Sequence, residues 1–149
     1  MTTPSIIADT AGNAKVDRSG AVRSIQAQAV IPNLTAANTI IGMIRIQKGF
    51  TLDHLAIVSS DLDAGVNLLA DVGYVYDDDT TYTNDLNAFF DGLDIPQDAG
   101  SRVWPTDDGL LTGIGFTAEA DGYITVQLTD NAVEADGTID VKALFSYNG

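Results

Sequence analysis

At 149 residues, with 45% hydrophobic residues and a formal net charge of −14, the chain has enough apolar material for one domain with its own core. The acidic excess repels a phosphate backbone and argues against a nucleic-acid partner. The absence of cysteine excludes disulfides, thiolate metal sites and thiol nucleophiles.

Charge is spread unevenly. Residues 1–50 hold two acids and five bases (Lys15, Arg18, Arg23, Arg45 and Lys48), whereas residues 51–149 hold nineteen acids and two bases. The formal charge is therefore +3 in the first part and −17 in the second. That layout suits a protein that lays a mildly basic arm on a partner and shows an acidic body to solvent.

In chain order, residues 1–20 carry few large apolar groups and contain Ala11-Gly12-Asn13, which is turn chemistry. They read as an extended arm that orders against a neighbour. The start, Met1-Thr2-Thr3-Pro4-Ser5, lacks a basic region followed by an apolar run and does not read as a signal peptide. From Ala21 the pattern becomes that of strands: 21–31, then the β-branched run 39–46, then 50–58 with imperfect alternation, with Gln47-Lys48-Gly49 as a tight turn. A loop at 59–65 leads to a strand over 66–72. Residues 82–91 read as a short helix capped by Thr83 or Asn84, with Leu86, Phe89 and Phe90 on its buried face. Pro96 and Pro105 bracket a loop containing Trp104. Strands over 110–118, 123–128 and 138–147 close the chain, with hairpin signals at Ala120-Asp121-Gly122 and Asp136-Gly137.

Seven or eight short strands without a βαβ unit predict an all-β fold. The expected architecture is an antiparallel β-sandwich or jelly roll, with an N-terminal arm (1–20), one domain (21–149) and a helix-bearing insertion (74–109). No stretch is long and apolar enough to span a bilayer, so no membrane partner is expected.

Few residues suggest chemistry. His54 is the only histidine, and its strand neighbour Asp53 points to the opposite face, so the two make a poor acid–base pair. There is no GxGxxG and no GxxxxGK[ST] signature. The acidic loops make Asp61, Asp63, Asp77 and Asp79 candidates for calcium, although neither run matches a twelve-residue calcium loop. Trp104 beside Asp107-Asp108 suggests a sugar platform, an interface anchor or a plug beneath a loop. Arg18, Arg23, Arg45 and Lys48 can pair with acids on an adjacent subunit or with the chain's own acidic excess. These features predict a structural or binding protein rather than an enzyme, with no cofactor beyond a candidate calcium. The main alternative is a carbohydrate- or calcium-dependent module for host attachment.

The segment 39–73 has an apolar strand with a basic residue, Arg45, before a Lys48-Gly49 turn. A second strand then runs to an Asp61-Leu62-Asp63 loop with Gly65, and a third ends in Asp71-Val72-Gly73. In this it resembles the jelly-roll head decoration, or cement, proteins of tailed bacteriophages. The segment from Asp121 to Thr129 and the closing Val141-Lys142-Ala143-Leu144-Phe145 fit the same pattern, and a weaker likeness covers 20–149. The resemblance implies a virion protein, made in the host cytoplasm, that sits on the outer capsid surface and bridges major capsid protein subunits. It also implies a homo-oligomer, trimer or dimer, and an arm that reaches across the shell. The 74–109 insertion is longer than such a protein needs.

Overall fold

The computed structural model describes residues 4, 6–11, 22–105 and 109–147. Among the described residues, ten strands form two five-stranded sheets: β1 (Ile6–Ile7), β2 (Asp9–Ala11), β3 (Arg23–Ile31), β4 (Ile40–Ile46), β5 (Phe50–Ser59), β6 (Leu69–Tyr76), β7 (Asp85–Leu93), β8 (Gly100–Trp104), β9 (Gly122–Thr129) and β10 (Gly137–Tyr147). One sheet has the order β1-β4-β9-β6-β7 and the other β2-β3-β10-β5-β8.

The eight strands from β3 onward pair as nested hairpins. β3 lies against β10, β4 against β9, β5 against β8 and β6 against β7, all antiparallel. A long hairpin pairs its strands this way, first with last and inward to the middle. Rolling it up places alternate pairs in opposite sheets, which is a jelly roll. The remaining contacts, β10 with β5 and β9 with β6, close each sheet across the roll. The fold is therefore the all-β antiparallel sandwich that the alternation predicts.

The core follows from period-two burial. Ile25, Ala27, Ala29 and Ile31 of β3 face inward beside Ile139, Val141, Ala143 and Phe145 of β10. From the other sheet, Ile41, Ile44 and Ile46 of β4 meet Ile124, Val126 and Leu128 of β9 in the same core. The imperfect alternation of 50–58 has a specific cause. Leu144 pairs with His54 and Phe145 with Leu52, so Asp53 is an extra residue in β5. A bulge of this kind flips the side-chain phase, which lets Leu52 and Leu55 both point inward.

Three expected elements differ, the first being the loop between Pro96 and Pro105, which holds strand β8 (Gly100–Trp104). Residues 82–91 are not a helix: Asp85–Leu93 is strand β7, and the only helical pieces among the described residues are 3-10 turns at Ile95–Gln97 and Leu111–Gly113. Bulges against β6 break the alternation, because Ala70 pairs with Leu93, Val72 with Phe90 and Tyr74 with Asp85. They bury Ala88, Phe89 and Phe90 in succession, which reads as a helical face on paper. Asn84 does cap a backbone, but that of β6: its Oδ1 accepts the Tyr76 N–H at 2.8 Å. Residues 110–118 are a loop rather than a strand, with Gly115 at φ +82° and a single bridge from Thr117 to Thr51. The Ala120-Asp121-Gly122 turn opens β9 without making a hairpin, since β9 pairs with β4 and β6.

Within the predicted arm, Ile6 and Ile7 run parallel to β4, while Asp9 to Ala11 pair antiparallel with β3. The Ala8 N–H between them donates to the Gly42 carbonyl at 2.7 Å, and Ala8 is buried. This short segment thus pairs with the exposed edges of both sheets and blunts each as a template for other strands.

One close approach positions β7. A Cβ on Gly73 would lie 2.0 Å from the Asp85 carbonyl oxygen and 2.4 Å from the Leu86 carbonyl carbon, so the 85–87 backbone crosses directly over this glycine. Thr125 pairs with Gly73 on one side and Gly42 on the other, and its buried hydroxyl has no hydrogen-bond partner. Gly73→Ala is expected to cost roughly 3 kcal/mol by overpacking against backbone that cannot swing away. Thr125→Val keeps the shape, removes the orphaned hydroxyl and should stabilise by about 1 kcal/mol. Urea unfolding of both variants checks these opposite signs; a stabilised Gly73→Ala or a clearly weakened Thr125→Val contradicts this packing.

Candidate functional site

Strand direction sorts the loops into two groups. The starts of β3, β5, β7 and β9 and the ends of β4, β6, β8 and β10 share one end of the sandwich. The 32–39, 60–68, 94–99 and 130–136 connections share the other.

The basic candidates fall at the first end. Arg45, at the close of β4, forms a two-pronged ion pair with Asp77: Nη1 donates to Oδ1 at 2.7 Å and Nη2 to Oδ2. Its guanidinium also lies 4.8 Å from the centre of the Tyr123 ring. The hydrogen bond to Arg45 holds the Asp77 carboxyl below the usual carboxylate range, and the same bond raises Arg45. The pair is exposed, so it fixes geometry more than it stabilises. Lys48 is exposed in the β4–β5 turn, which Gly49 makes at φ +90°, and its backbone N–H donates to Asp121 Oδ1 at 3.1 Å. Arg23 is exposed at the same end on the other sheet. Arg18 lies outside the described residues.

The calcium candidates are split between the two ends. Asp77 is engaged by Arg45, and Asp79 lies half-buried in the same turn. Their neighbour Asp78 accepts the Thr80 hydroxyl at 2.7 Å and the Thr81 N–H at 3.2 Å, which lowers its pKa. At the far end Asp63 is 2% exposed and accepts three backbone N–H groups: Gly65 at 3.1 Å, Asn67 at 2.9 Å and Leu68 at 2.8 Å. Those bonds, Leu68 first, hold its pKa low. Asp61 accepts the Asp63 N–H at 3.2 Å, and Glu134 accepts that of Ala64 at 3.0 Å. These carboxylates stand in for the strand ladder that a loop lacks. Among the described residues no group of three or more His, Asp or Glu side chains is placed to hold a metal ion.

Trp104 ends β8 inside the core, 1% exposed. Its Nε1–H donates to the Leu110 carbonyl at 2.9 Å, and its ring meets Phe89 edge-on at 5.0 Å. The indole thus plugs the space beneath the 110–118 loop, and its face is covered by the chain's own atoms. Asp107 and Asp108 lie outside the described residues. His54 is half-buried in β5, paired with Leu144 of β10.

Two features escape sequence reading. Asp71 has a raised pKa, chiefly from burial, with Asp91 and Asp130 adding like charge. Strand register alone brings these three acids together. At the first end, a groove of about 480 Å³ opens between β6, the start of β7 and residues 113–119. Tyr74, Tyr76, Tyr82 and Phe116 line it together with Asp85 and Glu119. The period-two spacing of Tyr74 and Tyr76 was a usable signal, but nothing local announced Tyr82 and Phe116.

The Asp63 bonds give a signed pH dependence. A carboxylate with a lowered folded pKa stabilises above its unfolded value of about 3.9, and that contribution is lost as pH falls through the folded value. Asp63→Asn should therefore cost about 2 kcal/mol at pH 7, with the deficit shrinking as the pH is taken below the unfolded value and through the lowered folded one. Thermal unfolding of both proteins across pH 2–7 reads the difference; a gap that does not change with pH would contradict it.

No protein-family profile and no curated protein sequence matches the chain. Its fold, however, matches chains in solved phage capsids. A chain in the capsid of Ralstonia phage GP4 superposes with a TM-score of 0.69 at 19% identity, over 87% of this chain and 86% of that one. One in the cyanophage Pam1 capsid asymmetric unit gives 0.64 at 16% identity, over 91% and 95%. One in the acidic stable capsid of Helicobacter pylori bacteriophage KHP30 gives 0.53 at 14% identity, over 85% and 89%. At these identities the likeness is one of fold: the chain has the sandwich found in chains of three phage capsids.

Proposed function

We propose that this chain is a non-enzymatic structural protein of a phage virion, which binds the outer surface of the capsid and stabilises contacts between major capsid subunits. One observation carries the reading. The matched chains in three phage capsids are covered over most of their length, so each is close to a single sandwich of this size. The distribution of charge agrees with it. Arg23 and Lys48 are exposed at one end of the sandwich, where Arg45 is already paired with Asp77, while the acidic excess of residues 51–149 leaves a body that repels its own copies at low ionic strength. On this reading the end that carries Arg23 and Lys48 meets the shell together with the N-terminal arm. The copies act as a homo-oligomer, trimer or dimer, and many weak contacts add up through avidity.

The attachment-module alternative draws no support from the site. Asp63 and Asp77 are engaged within the chain, and Trp104 is covered.

Cryo-electron microscopy of particles of the phage that encodes the chain tests the proposal. The expected map shows ordered copies of this sandwich on the outer shell, with the end that carries Arg23 and Lys48 bridging neighbouring capsid subunits. Shells that carry the protein elsewhere, or lack it, overturn the reading.

A further inference from the structure

The groove at the first end combines aromatic rings with carboxylates. Its aromatic walls stand at angles to one another. Tyr74 and Tyr76 are 5.2 Å apart with planes at 57°, and Tyr76 and Tyr82 are 5.6 Å apart, also at 57°. Phe116 stacks on Tyr74 at 4.5 Å. The rings therefore form the sides of a pocket rather than one flat platform of the sort that receives a sugar ring. Its ionisable carboxylates are Asp85 and Glu119, and no Lys or Arg lines it. Both charges act on the Tyr74 phenol, whose pKa is raised first by burial and then by Tyr76, Asp85 and Glu119.

The polar groups there are only partly used. Tyr76 Oη accepts the Glu119 N–H at 3.2 Å, and Asp85 Oδ1 accepts that of Asn87 at 3.2 Å. Among the described residues the Glu119 carboxylate and the Tyr74 hydroxyl have no hydrogen-bond partner. Aromatic faces carry negative potential and attract cations, and nearby carboxylates add to that attraction. Aromatic rings, two carboxylates and the lack of a lining Lys or Arg together favour a positively charged guest. The chain meets the same need elsewhere with its own side chain, where Arg45 lies over Tyr123 and pairs with Asp77.

We propose that the groove lined by Tyr74, Tyr82, Phe116, Asp85 and Glu119 is a binding site for an arginine side chain presented by a partner protein. A guanidinium suits it better than an ammonium, because a planar fork can stack on a ring while donating to a carboxylate. The volume of about 480 Å³ holds one such side chain with its flanking backbone. That the partner is the capsid shell rests on the function proposed above; capture of the guanidinium does not.

The test is an NMR titration of the whole chain with an acetylated and amidated Gly-Arg-Gly peptide, with Gly-Gln-Gly as uncharged control and maltotriose as a neutral sugar. The expected result is saturable shifts centred on Tyr74, Tyr82, Phe116 and Glu119 with the arginine peptide alone. Glu119→Gln and Tyr82→Ala should each weaken it by about threefold or more, the worth of one exposed cation–π or ionic contact. Asp53→Asn, which removes an exposed acid from β5, should leave it unchanged. Shifts scattered over the acidic surface and indifferent to these variants would overturn the site, as would stronger binding of the sugar. If the virion holds no copies of the protein while the peptide still binds in the groove, the capsid reading fails and the site stands.

Discussion

The whole molecule depends on pairing the first strand of the roll with the last. β3 and β10 match residue for residue, from Gly137 opposite Ile31 to Phe145 opposite Arg23, without a register shift. Once that pair is set, β4 must meet β9, β5 must meet β8 and β6 must meet β7, because each hairpin sits inside the one before. Period-two burial then decides which face of each sheet is apolar, and two such faces bury one another. The grouping of loops at two ends is a result of this nesting and not of any local preference.

That grouping explains how the charges sort. Arg23, Arg45 and Lys48 are scattered in sequence yet share an end, because each sits where a strand begins, ends or turns. Asp61 and Asp77 belong to similar acidic runs yet lie at opposite ends, because β6 carries the chain across the sandwich between them. A single multidentate cation site built from both loops is excluded by topology. What the loops do with their carboxylates is more local: Asp63 and Asp78 satisfy backbone and hydroxyl donors where strand pairing has stopped.

The architecture was legible wherever alternation was clean. β3, β9 and β10 lie close to where their apolar and polar residues alternate, β4 lies on the β-branched run 39–46, and the chain's turn residues mark most of their ends. The misreading at 82–91 has a definite physical source. Bulges place Ala88, Phe89 and Phe90 in the core one after another, and a helix face and a bulged strand then look alike. The pairing that decides between them is with β6, and Gly73, which admits the crossing, is only a small residue at the end of an apolar run when met in sequence. The site was less legible. The loop acids could be seen, but not that Arg45 reaches Asp77 across 32 residues or that Leu110 lies over Trp104. The groove needed Tyr74 and Phe116 to meet from segments 42 residues apart, and only the closed sandwich brings them together.

The β3–β10 pair also governs how the protein must be made. β10 is the central strand of its sheet, flanked by β3 and β5, and it follows both of them in the chain. Until it arrives, β3 and β5 have no common neighbour and their apolar faces stay wet. The sheet therefore closes only after β10 has been made, by joining segments more than a hundred residues apart, which is a slow route to a fold. In that interval the open edges are most exposed to other nascent copies. A strongly acidic chain, whose copies repel one another while the roll is still open, has a solubility advantage before it has any structure to protect.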